Sequence, residues 1–138
     1  MLDLHNTIKA TIAIAPQTQT IADTAIVGTI IDTAGFDTCE IVFLTGTLTD
    51  ADATFAVTLE HGDDPALADT AVPAAGDLIG TTALASFTFA DDITTKKIGY
   101  RGTKRYLRAT VTPTNNNAGA APIAAVALQT LARVKPVA

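Results

Sequence analysis

The chain contains no tryptophan, one cysteine, one serine and two histidines, and only 5% of it is aromatic. A single cysteine excludes an internal disulfide. Cys39 lies in the apolar run Cys39-Glu40-Ile41-Val42-Phe43-Leu44, the setting of a buried small hydrophobe, whereas a reactive thiol needs an electropositive neighbourhood. Ser86, the sole serine, sits in Leu84-Ala85-Ser86-Phe87 without the strained-turn motif of a nucleophile. His5 and His61 stand far apart, and neither has a His or Cys at a ligand spacing, so the sequence holds no zinc pattern. His61-Gly62-Asp63-Asp64 and Asp50-Ala51-Asp52 offer fewer oxygens than calcium sites use, and acidic residues in turns ordinarily serve the turn itself. The glycines form no phosphate-cradling pattern. The expectation is a protein that is not an enzyme, with no catalytic residues, no metal and no cofactor.

The opening Met1-Leu2-Asp3-Leu4-His5-Asn6 has no basic-then-apolar leader pattern, and no segment approaches the ~20 apolar residues of a membrane helix. A soluble product made in the cytoplasm is expected. Charged residues make up only 17% of the chain and the net charge is −5. The surface is therefore expected to be rich in alanine and in the hydroxyls of 24 threonines, a composition common in subunits largely covered by neighbours. With 138 residues, 48% of them hydrophobic, the chain suits one domain that hides roughly two-thirds of its unfolded surface. Its core must be built from Ile, Val, Leu and Ala.

What is present is period-two alternation. Residues 7–14 set Ile8, Ala10, Ile12 and Ile14 against Thr7, Lys9, Thr11 and Ala13, and residues 54–60 set Phe55, Val57 and Leu59 against Thr54, Ala56, Thr58 and Glu60. Residues 40–45 are apolar on both faces and read as a central strand. Further strands are expected at 25–31, 83–89, 97–100, 106–112 and 123–132, with a turn-rich acidic loop at 62–80 and a hairpin-like connection at 113–119. About eight short strands with no sustained 3.6-residue period imply an all-β fold, an antiparallel β-sandwich or jelly roll. The expected organisation is an extended N-terminal arm over 1–20, one domain over 21–133 and a short tail over 134–138, whose proline stops a strand. In the arm, Ile8, Ile12 and Ile14 form an apolar row fitted to a neighbouring subunit.

The charge is not evenly spread. Six of the nine lysines and arginines fall within residues 96–112: Lys96, Lys97, Arg101, Lys104, Arg105 and Arg108, together with both tyrosines, Tyr100 and Tyr106. Alternation puts Tyr106, Arg108, Thr110 and Thr112 on one face of a strand and Leu107, Ala109 and Val111 on the other. Such a stretch reads as an edge that docks an acidic protein partner, with Lys96, Lys97, Arg101, Lys104, Arg105, Tyr106 and Arg108 as the docking residues. The alternative is a solvated strand whose cations pair with Asp91, Asp92 or Glu60 across the sheet. The acidity of the rest of the chain argues against nucleic acid.

Four segments together resemble a family of small proteins encoded near the major capsid gene of tailed bacteriophages. They are Ala34-Gly35-Phe36-Asp37 leading into an apolar strand; Thr47-Leu48-Thr49-Asp50 with Thr54-Phe55-Ala56-Val57-Thr58-Leu59-Glu60 and the acidic turn Asp63-Asp64; Ile98-Gly99-Tyr100-Arg101-Gly102-Thr103-Lys104-Arg105-Tyr106-Leu107-Arg108; and an apolar last strand ending near Pro136-Val137-Ala138. The resemblance spans roughly residues 23–138, with Leu131-Ala132-Arg133 where family members commonly carry a histidine. It implies a structural protein on the capsid exterior of a virion, a head decoration or cement protein partnered by the major capsid protein and itself a homo-oligomer, dimer or trimer, with no membrane partner. A tail or head–tail connector protein is the neighbouring alternative. A carbohydrate-binding β-sandwich is the alternative from a different class, and the lack of tryptophan speaks against it.

Overall fold

The computed structural model describes residues 3–20 and 22–133. Among these residues lie ten strands, one short α-helix and a 3-10 turn over Ala75–Asp77: β1 (Lys9–Thr20), β2 (Ile26–Val27), β3 (Ile31–Asp32), β4 (Thr38–Thr45), β5 (Thr54–Gly62), β6 (Leu78–Ile79), α1 (Thr82–Ala85), β7 (Phe87–Thr88), β8 (Thr95–Tyr100), β9 (Tyr106–Thr114) and β10 (Ala120–Thr130). All pairings between strands are antiparallel. Sheet A has the order β1-β10-β4-β8-β6, and sheet B the order β2-β9-β5-β7 with β3 also on β9. The antiparallel sandwich expected from the alternation is the fold that forms.

The alternation translates directly into layers. Along β5 the odd positions Phe55, Val57 and Leu59 are buried while Thr54, Ala56 and Thr58 face water, because successive strand residues point to opposite faces. Phe43, Ile41 and Ile98 from sheet A meet Leu59, Leu107 and Val111 from sheet B in one apolar cluster. The rings of Phe55 and Phe87 stack at 5.0 Å. Cys39 is buried in this cluster, and burial pushes its thiol pKa up to about 12, which suits an inert packing role.

Three segments depart from the expected layout, each for a local reason. Residues 83–89 are not one strand: Thr81 Oγ1 accepts the backbone N–H of Leu84 at 3.1 Å, capping the Thr82–Ala85 turn, whose Ala and Leu favour helix. Ser86 ends that turn, donating its hydroxyl to Thr82 O at 2.7 Å and accepting from Val57 N–H at 2.9 Å. Of the segment expected as an arm, residues 9–20 lie on the body. Lys9–Thr20 is the edge strand of sheet A, paired along β10 with two register breaks, near Ala13 and Pro16. Ile14 is buried in the protein's own core, Ile8 is half-buried, and Ile12 points outward with 57% of its surface exposed. The tail expected over 134–138 lies outside the described residues.

The third departure, the split of residues 25–31 into β2 and β3, holds the two sheets together. Gly28 N–H donates to Ala109 O of sheet B at 2.9 Å, and Thr29 N–H donates to Ala13 O at the β1 bulge of sheet A at 2.8 Å. A β-carbon on Gly28 would stand 2.5 Å from both carbonyl oxygens. These neighbours are backbone and cannot swing aside, so only glycine fits the seam. Gly28→Ala is expected to cost ~1–3 kcal/mol in urea unfolding. Gly76→Ala, where a β-carbon meets nothing within 4 Å, should stay within ~0.5 kcal/mol of the parent. Equal stabilities for the two variants would contradict this reading of the seam.

Candidate functional site

The basic stretch folds around a phenol. Tyr100, the last residue of β8, is 3% exposed. Its Oη accepts the backbone N–H of Lys104 at 3.1 Å and lies 2.9 Å from Nδ1 of His61 on β5. The two rings meet edge to face at 5.7 Å. The hydroxyl thus ties sheet A, sheet B and the connection 101–105 to one point. Burial raises the pKa of Tyr100, which keeps the phenol neutral and able to donate. The glycine at position 102 follows from this arrangement: its β-carbon would stand 2.5–2.7 Å from Oη, Cζ and Cε2 of Tyr100.

From this anchor the cations spread in several directions. At the end of the sandwich Lys104 Nζ pairs with Asp63, and Arg105 grips Asp32 with both Nε (2.9 Å) and Nη2 (2.8 Å) while lying over the Tyr106 ring at 5.1 Å. On the outer face of sheet B, Arg108 donates from Nε and Nη2 to Oε2 of Glu60, its direct partner across the β5–β9 ladder. Lys96 pairs with Asp91 at 2.8 Å. Arg101 gives its Nε–H to Gly76 O and its backbone N–H to Asp77 O. Lys97 stands exposed on the outer face of sheet A and has no ion pair among the described residues. The structure therefore gathers Lys104, Arg105 and Tyr106 at one end, and places Arg108, Lys96 and Lys97 on separate surfaces. Two of the cross-strand pairs considered from sequence, Lys96–Asp91 and Arg108–Glu60, are formed.

At the charged end a groove of about 470 Å³ opens between the loop 33–37, the connection 102–105 and Arg133. Arg133 bonds Asp37 through Nε at 3.0 Å and Gly35 O through its backbone N–H. Lys9 Nζ sits 6.0 Å above the Phe36 ring. Gln129, 1% exposed, reaches Asp32 O from inside at 2.7 Å and fixes the strand that presents the Asp32 carboxylate. The groove is walled by paired charge on a frame of backbone hydrogen bonds, a surface suited to recognising a polar partner by register.

The opposite end uses carboxylates to tie loops. Asp50 Oδ2 accepts the N–H groups of Asn117 at 2.8 Å and Ala118 at 2.7 Å, and Asp23 Oδ1 accepts that of Asn116 at 2.8 Å. The bonds to Asp50, that from Ala118 foremost, lower its pKa, while the neighbouring Asp50 raises that of Asp52. The two carboxylates of Asp50-Ala51-Asp52 thus do different jobs, and that of Asp50 closes the β9–β10 connection. Asp69 does the same for the acidic loop, accepting from Asp63 and Asp64 N–H. Sequence reasoning missed Tyr100, His61, Gln129 and Asp50 as organising residues. The two glycines that flank Tyr100-Arg101 in the basic stretch were the available signal.

The ion pairs give the protein an acid sensitivity of definite sign. Hydrogen bonds from Arg105, Lys104 and Lys96 hold Asp32, Asp63 and Asp91 below the ordinary carboxylate pKa. A lowered folded-state pKa adds stability that is complete above the unfolded value of about 3.9 and is lost as pH falls through the lowered values. The thermal midpoint should accordingly drop between pH 5 and pH 2.5, by an amount on the order of 5 °C. The drop should be smaller in Asp32→Asn and Asp63→Asn, which have given up the pair at both pH values. A drop as large in both variants as in the parent would contradict the assignment.

No family model and no curated protein matches this sequence. Among solved structures the chain is similar to the PBSX exported protein XepA, at TM-score 0.54 and 13% identity; the alignment covers 94% of this chain but only 39% of XepA. It is also similar to the SPBc2 prophage-derived protein YomS (TM-score 0.47, 10% identity, 88% of this chain and 92% of that one) and to the CBM22-1 xylan-binding domain of Paenibacillus barcinonensis Xyn10C (TM-score 0.49, 13% identity, 92% and 83%). At these identities the likeness to XepA establishes a shared fold, and structural neighbours of this all-β sandwich include phage-derived proteins.

Proposed function

We propose that this chain is a structural protein of a tailed-bacteriophage particle, and within that class a decoration or cement protein that sits on the exterior of the head and binds the major capsid protein. The observation that carries the reading is a coincidence of sequence and placement. Residues 99–108, which most resemble the phage family, contain the connection 102–105 that the fold anchors on Tyr100 and uses to wall the groove at the charged end. A sandwich shared with the phage-derived XepA supports the same class. The half-buried Ser86 and the buried Cys39 are committed to turn closure and packing, in keeping with a binding role.

Docking would proceed through Arg101 and through the ion pairs that Lys104 and Arg105 make with Asp63 and Asp32. Each exposed pair contributes little to folding, since surface pairs are worth ~0–1 kcal/mol, but a fixed pattern of alternating charge selects a complementary surface and sets its register. Simple reversal of the cations would set acid against acid, so the test exchanges whole pairs. The variant carrying Asp32→Arg with Arg105→Asp and Asp63→Lys with Lys104→Glu keeps both intrachain pairs and inverts the pattern. We expect it to retain the parent's thermal midpoint and to bind emptied capsids at least tenfold more weakly. Capsid occupancy equal to the parent's would show that the pairs serve the fold alone. Binding of the parent to isolated tails, to duplex DNA or to xylan in place of capsids would overturn the decoration reading.

A further inference from the structure

The two outer faces of the sandwich carry different chemistry. On sheet B the outward positions of β5 and β9 are mostly threonines, with Glu60 and Arg108 paired between them, a face made for water. On sheet A the outward positions of β1, β10, β4 and β8 form rows set by the strand register. One row runs Ala10, Leu128, Glu40, Gly99, and the next runs Ile12, Val126, Val42, Lys97. Ala124 and Leu44 continue the apolar field in the row beyond, and Leu44 is 43% exposed. Patches of this kind on a small domain usually mark a contact surface. The face holds one carboxylate and one ammonium, Glu40 and Lys97, and neither makes an ion pair among the described residues.

We propose that this face is the contact surface between two copies of the chain, related by a two-fold axis that runs across the strands between these two rows. The inference goes beyond the particle reading and does not depend on it. Under that operation each strand lies over its own copy, and the first row of one molecule faces the second row of the other. Ala10 then meets Ile12 and Leu128 meets Val126, while Lys97 lies over the Glu40 and Ile79 side chains that cover Gly99. Lys97 of each copy comes beside Glu40 of the other, and both charges are paired twice over by the one symmetry operation.

This charge arrangement favours a second copy over a foreign partner. A uniformly acidic or basic surface laid on the face would leave either Glu40 or Lys97 desolvated without a counter-charge, which is costly. An identical face satisfies both, as isologous contacts must. Area agrees in magnitude. With Thr130 and Thr38 as a fourth outward row, four to five strands at ~4.8 Å spacing and four rows at ~6.8 Å give roughly 600 Å² per copy, or about 1,200 Å² in all, the lower end of the range for specific interfaces. A micromolar dimer fits that size.

Sedimentation velocity on the full chain from ~1 to ~500 µM reads the equilibrium directly. The parent should pass from monomer to dimer within that range. Ile12→Lys, at a position already 57% exposed, should leave the fold intact and raise Kd at least tenfold. Lys97→Glu should do the same by placing two carboxylates together. Adding Glu40→Lys to Lys97→Glu should bring Kd back to within about threefold of the parent, because the exchanged charges again face each other under the two-fold axis. A parent that stays monomeric throughout, a dimer indifferent to Ile12→Lys, or an exchange that fails to restore Kd would each overturn the proposal. If the parent never dimerises while Ile12→Lys abolishes capsid binding, the face belongs to the capsid: the two-copy contact falls and the particle reading stands. A dimer with the expected variants but no capsid binding has the opposite meaning.

Discussion

One buried hydroxyl, Oη of Tyr100, fixes the geometry of the charged end. It stands where sheet A, sheet B and the connection between β8 and β9 converge, accepting from Lys104 N–H and lying within bonding distance of His61. A buried polar group costs free energy unless it is satisfied, and satisfying this one draws the connection 101–105 down onto the ring. Gly102 permits the approach. Lys104 and Arg105 then leave the fold in set directions and meet Asp63 and Asp32. The neighbouring groove inherits its walls from the same constraint.

The same economy operates at the other end and at the seam. Buried or half-buried carboxylates such as Asp50 collect backbone N–H groups that a turn would otherwise leave unpaired, while Gly28 and Thr29 span the gap between β1 and β9. With both ends tied and one side stitched, the outer faces of the sheets are free to differ. Sheet B is surfaced with threonine and paired charge. Sheet A presents isoleucine, valine and leucine around an isolated Glu40 and Lys97. Each face thus carries one acid and one base, paired on sheet B and unpaired among the described residues on sheet A.

Period-two patterning made the all-β architecture legible, since β5 and β9 alternate so cleanly that their buried faces could be named in advance. Where patterning failed, a long-range contact decided. Nothing local distinguishes an isoleucine row docked on a neighbour from one docked on β10, so Ile14 read as part of an arm although it closes the protein's own core. Residues 83–89 read as a strand because the Thr81 cap was not weighed against alternation. The basic stretch was conspicuous as composition, yet its pairing with Asp32 and Asp63, more than forty residues away in sequence, depends on tertiary structure. Lys96–Asp91 and Arg108–Glu60 were within reach of cross-strand reasoning, being a near neighbour and a ladder partner.

The dependence of the charged end on Tyr100 is tested most directly by amide hydrogen exchange in Tyr100→Phe, which keeps the ring and removes the hydroxyl. Loss of one hydrogen bond of ordinary strength should speed exchange at Lys104 N–H by on the order of tenfold, with protection at the central ladder of β4 and β10 unchanged. Unaltered exchange at Lys104, or an equal loss of protection in the β4–β10 ladder, would contradict the account.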